Sequence, residues 1–192
     1  MQSTTTTQKP TSTLLGDASM PVMIASVVLA SLILTVSAKV KVPFYPVEMT
    51  MQPLAVIGIG LLLGRNLAIA AVGLYLAQGA AGLPVFTGTP EKGLGVAYMM
   101  GPTGGFLAGF LVAAAVTGYA ADRGWTRSLI GAVAASLVGL VAIYTPGLIY
   151  LASLIGTEKA IMFGLAPFWL KDVVAALIAA FAASALMSFK RR

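Results

Sequence analysis

Polar and apolar positions alternate along this chain in long blocks. Short polar segments separate six apolar stretches, which cover residues 21–38, 50–64, 66–81, 101–121, 128–154 and 167–189. About 20 apolar residues in a helix cross the hydrocarbon core of a bilayer, and a helix satisfies its own backbone hydrogen bonds there. The pattern therefore predicts an all-α integral membrane protein with six transmembrane helices.

The second and third stretches are shorter than the others, and only Gly64, Arg65 and Asn66 separate them. Such a short link forces the two helices into an antiparallel hairpin. Because both are short for a bilayer span, we expect their far ends to lie within the membrane.

The chain begins with a polar, Thr-rich segment, residues 1–20, which lacks the apolar side chains needed to order it. We predict a flexible tail followed by a single transmembrane domain, residues 21–192. Residues 36–38 also resemble a signal-peptidase site, but a long tail without a basic segment argues against cleavage.

Positive charge is unevenly divided between the two sides that six crossings would create. One side holds the tail, the turn between the second and third helices, the loop between the fourth and fifth, and the C-terminus. It carries Lys9, Arg65, Arg123, Arg127, Lys190, Arg191 and Arg192; the other side carries Lys39, Lys41, Lys92, Lys159 and Lys171. The positive-inside rule then places both termini in the cytoplasm. The difference is modest, so an inverted orientation stays open.

Composition excludes several classes of protein. Hydrophobic residues make up 58% of the chain and charged residues 9%, whereas a soluble domain is about 25% charged. The net charge of +6 comes from scattered cations and not from a nucleic-acid-binding stripe. With no Cys and no His, thiol catalysis, zinc-thiolate sites and the commonest general base are missing. We therefore expect no catalysis, no metal and no cofactor.

The side opposite the termini is predicted to carry the function. Its connections, residues 39–48, 82–105 and 156–172, are long and rich in Gly, Pro and aromatic residues, whereas the turns on the other side are tight. Irregular backbone near the membrane is tolerated where it lines a cavity. We therefore predict a pocket on this side that opens outward.

Asp172 and its neighbour Lys171 are the leading candidates for that pocket, because both sit near the outer end of the last helix. An ionisable residue at this depth is costly and marks a functional site by default. A helix-capping carboxylate beside a snorkelling lysine is the structural alternative.

Further candidates are polar and aromatic side chains, and two glycines, near the outer ends of the helices. They are Thr50, Gln52, Tyr75, Phe86, Lys92, Gly101, Thr103, Gly104 and Trp169. The glycines around Thr103 permit a tight turn at a helix start, and an aromatic residue between Pro and Gly suits a pocket wall. Capping, packing or an interfacial aromatic belt could also explain these residues, and the three outer glutamates, Glu48, Glu91 and Glu158, are interpreted as solvated loop charges.

Ser26 and Ala30 form a small pair, one turn apart, on the first helix. Small residues at this spacing allow close helix packing in lipid. The pair could seat a helix of a partner subunit or pack inside this chain.

Several segments together give a family resemblance. The sequences Thr-Met-Gln at 50–52, Gly-Leu-Pro-Val-Phe at 82–86, Gly-Pro-Thr-Gly-Gly at 101–105 and Pro167-Phe168 with Asp172 resemble the BioY family. These proteins are the biotin-specific substrate-binding (S) components of energy-coupling factor (ECF) transporters. The resemblance spans residues from about 42 to the last helix.

The resemblance implies a six-helix S-component bundle with cytoplasmic termini in a bacterial cytoplasmic membrane. It implies high-affinity capture of biotin from outside, and association with a transmembrane coupling subunit and two cytoplasmic ATPase subunits. Homo-oligomerisation is left open.

Carried over by position, Asp172 matches the family's acidic ligand contact, whereas Ala175 stands where family members often have a lysine. Lys171 or Lys92 is then the cation for the ligand's carboxylate, and Ser26 with Ala30 stands for the partner contact. An S component for another vitamin is the nearest alternative; an intramembrane enzyme or a channel lacks the clustered acids or polar rings it would need.

Overall fold

The structure, a computed structural model, describes residues 13–15, 18–42 and 47–189. Within them the chain forms eight α-helices and one two-stranded ribbon. The helices are α1 (Met20–Lys39), α2 (Gln52–Leu63), α3 (Arg65–Ala80), α4 (Gly95–Met99), α5 (Gly104–Asp122), α6 (Leu129–Ile155), α7 (Thr157–Gly164) and α8 (Trp169–Phe189). The six predicted helices correspond to α1, α2, α3, α5, α6 and α8, and the strands are a small departure from an all-α chain.

Four helices of the described part are long and apolar enough to cross a membrane: α1, α5, α6 and α8. The remaining two are shorter, with 12 residues in α2 and 16 in α3. At 1.5 Å per residue they reach about 18 and 24 Å, less than the roughly 30 Å hydrocarbon core. The structure thus supports a multi-pass α-helical membrane protein with four clear spans and a short hairpin.

Close packing of α5 against α6 organises the centre of the bundle. A Cβ atom added at Gly109 would lie 2.6 Å from the backbone oxygen of Ile143, and one at Gly105 would lie 2.6 Å from that of Pro146. Glycine lets two backbones approach this closely in lipid. Helix α5 is consequently the most enclosed of the four long helices, with 61% of its span buried against 22% for α1.

One end of the bundle consists of tight turns. The backbone N–H of Arg65 donates to the Asp122 carboxylate at 3.1 Å, so the α2–α3 turn contacts the end of α5. Nearby, the N–H of Leu14 donates to the Leu62 carbonyl at 3.0 Å. Residues 1–12 and 16–17 of the predicted tail, and the C-terminal cations 190–192, lie outside the described residues.

The opposite end holds the long connections, as the sequence predicts. Strands β1 (Lys41–Val42) and β2 (Met49–Thr50) pair antiparallel, and α4 and α7 lie in the two other connections. The loop aromatics Phe44 and Tyr45 fall outside the described residues.

Candidate ligand-binding site

A cavity of about 570 Å³, counted to its open mouth, lies at the end of the long connections. Its walls come from the β1–β2 ribbon, from the α3–α4 connection and from helices α2 to α8. The polar lining residues are Glu48, Thr50, Gln52, Tyr75, Thr87, Tyr98, Thr103, Tyr144, Lys171 and Asp172. A concave site that places several polar groups among apolar and aromatic walls is typical of a site for a small organic ligand.

Asp172 is the deepest charged group of the cavity, with 4% of the residue exposed. It lies in the first turn of α8, where a carboxylate is favoured by the helix dipole. Its Oδ2 accepts a hydrogen bond from the Tyr144 hydroxyl at 2.6 Å. Its Oδ1 forms an ion pair with Lys171. Because a carboxylate oxygen has two lone pairs, one lone pair of Oδ1 remains for a ligand donor.

Lys171 spans the gap between α8 and the ribbon. Its ammonium donates to the backbone oxygen of Thr50 at 2.6 Å while it pairs with Asp172. Although adjacent residues on a helix point about 100° apart, the long lysine stem brings its amine back to the Asp172 carboxylate. Lys171 therefore already has two partners within the protein.

A second set of hydrogen-bonded polar side chains lies on α2 and α3. Gln52 donates from Nε2 to the Tyr75 hydroxyl at 2.8 Å, and that hydroxyl donates to the Val85 carbonyl at 3.4 Å. The backbone N–H of Gln52 donates to Thr50 Oγ1 at 3.3 Å. These bonds fix the Gln52 amide at the cavity wall. They also give this buried polar side chain the hydrogen-bond partners that burial requires.

Three aromatic rings form the outer wall. Phe86 stacks on Tyr98 with ring centroids 5.0 Å apart and meets Tyr75 edge-on at 5.3 Å. Gly79 makes room for Phe86, because an added Cβ would come within 1.9 Å of its ring. Burial raises the pKa of Tyr98 to about 12 against an opposing hydrogen bond with Thr103, so the phenol is neutral.

Glu48 joins the ribbon to the α3–α4 connection. It accepts a hydrogen bond from Thr87 and forms ion pairs with Lys41 at 3.2 Å and Lys92 at 3.0 Å. Burial acts to raise the pKa of the Glu48 carboxyl, but the bonds from Thr87, Lys92 and Lys41 outweigh it and hold that pKa below its usual value. Two cations around one carboxylate leave a net positive charge here.

A smaller depression adjoins the main cavity and shares Glu48, Tyr98 and Thr103 with it. Lys92 and Gly101 line this depression. Because Lys92 has a single carboxylate partner and a side chain that is 42% exposed, it is better placed than Lys171 to meet an added anion.

The structure brings together most of the residues that the sequence singled out. The main cavity is lined by Asp172, Lys171, Gln52, Thr50, Tyr75, Phe86 and Thr103. Trp169 is not part of the lining and is 52% exposed on the outside of α8, while its neighbour Phe168 lines the cavity. Gly104 serves packing, because an added Cβ would come within 1.9 Å of the Met99 carbonyl oxygen.

The two residues of the predicted partner contact on α1 differ in exposure. Ala30 is 3% exposed and belongs to this chain's own core, which removes it from the surface that a partner could reach in this arrangement. Ser26 is partly exposed and donates to the Val22 carbonyl at 2.8 Å.

Two functional candidates were missing from the sequence prediction. Glu48 was interpreted as a solvated loop charge, yet its side chain is only 6% exposed. Tyr144 was not singled out, although its position well inside the 27-residue apolar helix α6 is unlike the helix-end positions of belt aromatics. Among the described residues, no three His, Cys, Asp or Glu side chains lie together as a metal site would need.

Comparison with known proteins gives consistent matches. A sequence model described as the BioY family matches residues 7–192. The chain is 38% identical over 152 residues to a probable biotin transporter BioY from Pyrococcus horikoshii, covering 79% of this chain and 88% of that protein. It is also 38% identical over 152 residues to the biotin transporter BioY of Thermotoga maritima, covering 77% and 87%.

A solved structure shares the fold. The crystal structure of the S-component for biotin from an ECF-type ABC transporter superposes with a TM-score of 0.72, at 23% identity, over 88% of this chain and 92% of that one.

Proposed function

The chain belongs to the BioY family, and on this premise we propose that it is a biotin-binding S component of an ECF transporter. It captures biotin in the cavity described above and acts as a substrate-binding subunit, not as an enzyme. The observation that carries the proposal is the buried Asp172 carboxylate, whose Oδ1 pairs with Lys171 and keeps a second lone pair for a ligand donor inside the pocket.

The chemistry of biotin suits this lining. Its ureido N–H groups need a carboxylate or amide acceptor, and Asp172 supplies one. The ureido oxygen needs a donor, and the Gln52 amide is a candidate because it uses only one of its two N–H groups on Tyr75. The fused rings and the alkyl chain need apolar walls, which Phe86, Phe106 and Phe110 supply.

The carboxylate of biotin is proposed to lie at the other end, in the depression beside Lys92. Lys171 is engaged by Asp172 and by the Thr50 backbone oxygen, whereas Lys92 has one partner and a half-exposed side chain. The net positive charge around Glu48 favours an anion there. Biotin then spans the cavity, with its ureido group deep and its carboxylate near the mouth.

The remaining assignments follow from the family. We propose six crossings of a cytoplasmic membrane, with the cavity open to the outside and both termini in the cytoplasm, in keeping with the cations at the tight-turn end. Energy is proposed to come from a transmembrane coupling subunit and two ATPase subunits, since no nucleotide-binding motif occurs in this sequence. The chain is proposed to work without a metal or cofactor.

Calorimetry on the purified protein in lipid nanodiscs tests the proposal. Biotin should bind, and riboflavin and thiamine, which stand for the other vitamins, should not. Asp172→Asn should weaken biotin binding by about 1–3 kcal/mol because it leaves a buried ligand donor badly paired. The matched control is Glu158→Gln, which alters an exposed acid of α7 and should leave the affinity unchanged. Binding of another vitamin, or equal affinity in Asp172→Asn, contradicts the proposal.

A further inference from the structure

We infer that Lys39, the last residue of α1, is a positioning residue that holds the Phe86 wall of the cavity in place and thereby slows ligand release. The inference rests on the proposed function and adds to it a residue that does not line the cavity. Lys39 otherwise counts only as one of the scattered cations at helix ends.

Three hydrogen bonds carry the inference. The Lys39 ammonium donates to the Phe86 carbonyl at 2.8 Å, to the Thr89 carbonyl at 3.2 Å and to the Thr89 hydroxyl oxygen at 3.1 Å. An ammonium has three protons to donate, so these acceptors can use all of them. All three acceptors belong to one short segment that is distant from Lys39 in the sequence.

The segment that contains Phe86 and Thr89 is held in shape by a hydrogen bond of its own. The Thr89 hydroxyl donates to the Phe86 carbonyl at 2.6 Å, so Phe86 and Thr89 present their acceptors side by side. Residues 85–89 are all buried. A charged donor to neutral carbonyls forms a stronger bond than a neutral donor does, and Lys39 is the cation placed there.

The same segment forms two parts of the cavity wall. Phe86 supplies the ring between Tyr75 and Tyr98, and Thr87 donates to Glu48. Both residues line the cavity. A shift of the Phe86 and Thr89 backbone would therefore displace the aromatic wall and loosen the link to Glu48 at once.

Helix α1 lies at the edge of the bundle, with only 22% of its span buried. Its last turn packs through the buried Ser37 and Ala38, and Lys39 adds the link to the 86–89 segment. The ammonium consequently ties the most peripheral long helix to the wall of the binding site. Removing the ammonium should free the wall without touching the ligand.

The test measures the release rate of radiolabelled biotin, chased with unlabelled biotin, in five forms of the nanodisc-embedded protein and in one control variant. These are the wild type, Lys39→Met, Lys39→Arg, Thr89→Val and the Lys39→Met/Thr89→Val double variant. Lys39→Met should raise the dissociation rate about three- to tenfold, as the loss of partly exposed charged hydrogen bonds implies, with a smaller change in the association rate. Lys39→Arg, which keeps a cation that can donate to the same acceptors, should restore most of the retention.

Thr89→Val should raise the rate in part, and the effect of the double variant should be smaller than the sum of the two single effects, because residues that share a contact are not additive. Lys159→Met, which removes an exposed cation of α7, is the matched control and should release biotin at the wild-type rate. A wild-type release rate in Lys39→Met, or additive effects in the double variant, overturns the inference.

A second readout needs no ligand. Amide hydrogen exchange, followed by mass spectrometry on peptides that contain residues 85–92, should be faster in Lys39→Met and unchanged in Lys159→Met. Wild-type exchange in that segment also overturns the inference. If the wild type binds no biotin while the exchange differs as expected, the proposed function fails and the positioning role stands.

Discussion

The hydroxyl of Tyr144 donates a 2.6 Å hydrogen bond to Oδ2 of Asp172, and this bond joins the middle of α6 to the first turn of α8. Tyr144 thereby fixes one carboxylate oxygen, while the other pairs with Lys171. A buried carboxylate held at both oxygens offers its remaining lone pairs in fixed directions, which selects a ligand with a donor at a matching position. The pair is thus the proposed recognition centre for the ureido group.

Tyr144→Phe removes this hydroxyl and keeps the ring. We expect biotin affinity to fall by about 1–2 kcal/mol, because Asp172 loses its orienting bond and becomes an incompletely paired buried charge. Calorimetry with biotin measures the change. Tyr119→Phe, which alters an exposed tyrosine of α5, is the control, and equal affinity in both variants would remove Tyr144 from the site.

The Lys92→Met variant tests whether the carboxylate end of biotin lies beside Lys92. If the biotin carboxylate pairs with Lys92, the variant should bind biotin about fivefold or more weakly but should bind biotinamide, which lacks the carboxylate charge, as the wild type does. Competition binding with both ligands measures the difference. Equal losses for biotin and biotinamide would place the carboxylate elsewhere.

Lys171→Met should behave differently, because its ammonium contacts Asp172 and the Thr50 oxygen. Its loss unpairs Asp172, so we expect weaker binding of biotin and of biotinamide alike. The same competition assay applies, and Lys159→Met is the control. A loss confined to biotin would instead identify Lys171 as the partner of the ligand carboxylate.

The Glu48 cluster predicts a defined pH dependence. Because folding lowers the pKa of Glu48 below its ordinary value of 4.5, the carboxylate stabilises the folded state above that value. The contribution is lost as the pH falls through the lowered pKa. The difference in thermal stability between wild type and Glu48→Gln should be constant near neutral pH and shrink below about pH 4.5. A difference that persists unchanged in acid would show that the Glu48 ion pairs do not stabilise the fold.

Gly109→Ala tests the close approach of α5 and α6. The added methyl meets the Ile143 backbone at 2.6 Å, which cannot yield as a flexible side chain can, so we expect a loss of about 1–3 kcal/mol in unfolding free energy. Gly73→Ala is the matched control, since nothing lies within 4 Å of a Cβ added there and alanine favours the helix. Thermal unfolding in detergent compares them, and equal melting temperatures would contradict the packing described.

The helices could be predicted from the sequence because the length of an apolar run matches the number of helical residues needed to cross the bilayer core. The fifth stretch, predicted at 128–154, is observed as Leu129–Ile155. The resemblance to the BioY family is confirmed by the family match and by relatives at 38% identity. The six crossings and their orientation stay predictions, since α2 and α3 are short and their depth in a bilayer depends on neighbouring helices.

The details of the site were harder to predict, because helix rotation decides them. Trp169 and Phe168 are adjacent, yet the first is exposed and the second lines the cavity. Phe168 lies in the turn before α8 and Trp169 is the first residue of that helix, so their directions depend on where the helix begins. Glu48 looks like a loop charge in the sequence because Lys41, Lys92 and Thr87 approach it only after the connections fold together.

The tight packing beneath the cavity determines where water can enter the interior of the bundle. Deeper in the bundle than the cavity-lining Phe110, an added Cβ at Gly60 would lie 1.9 Å from Thr117, and one at Gly139 would lie 2.4 Å from it. Space too small for a methyl group cannot hold a file of water molecules, so no such file runs between α2, α5 and α6 around Thr117. A molecule held in the cavity therefore has no water-filled passage onward between these three helices.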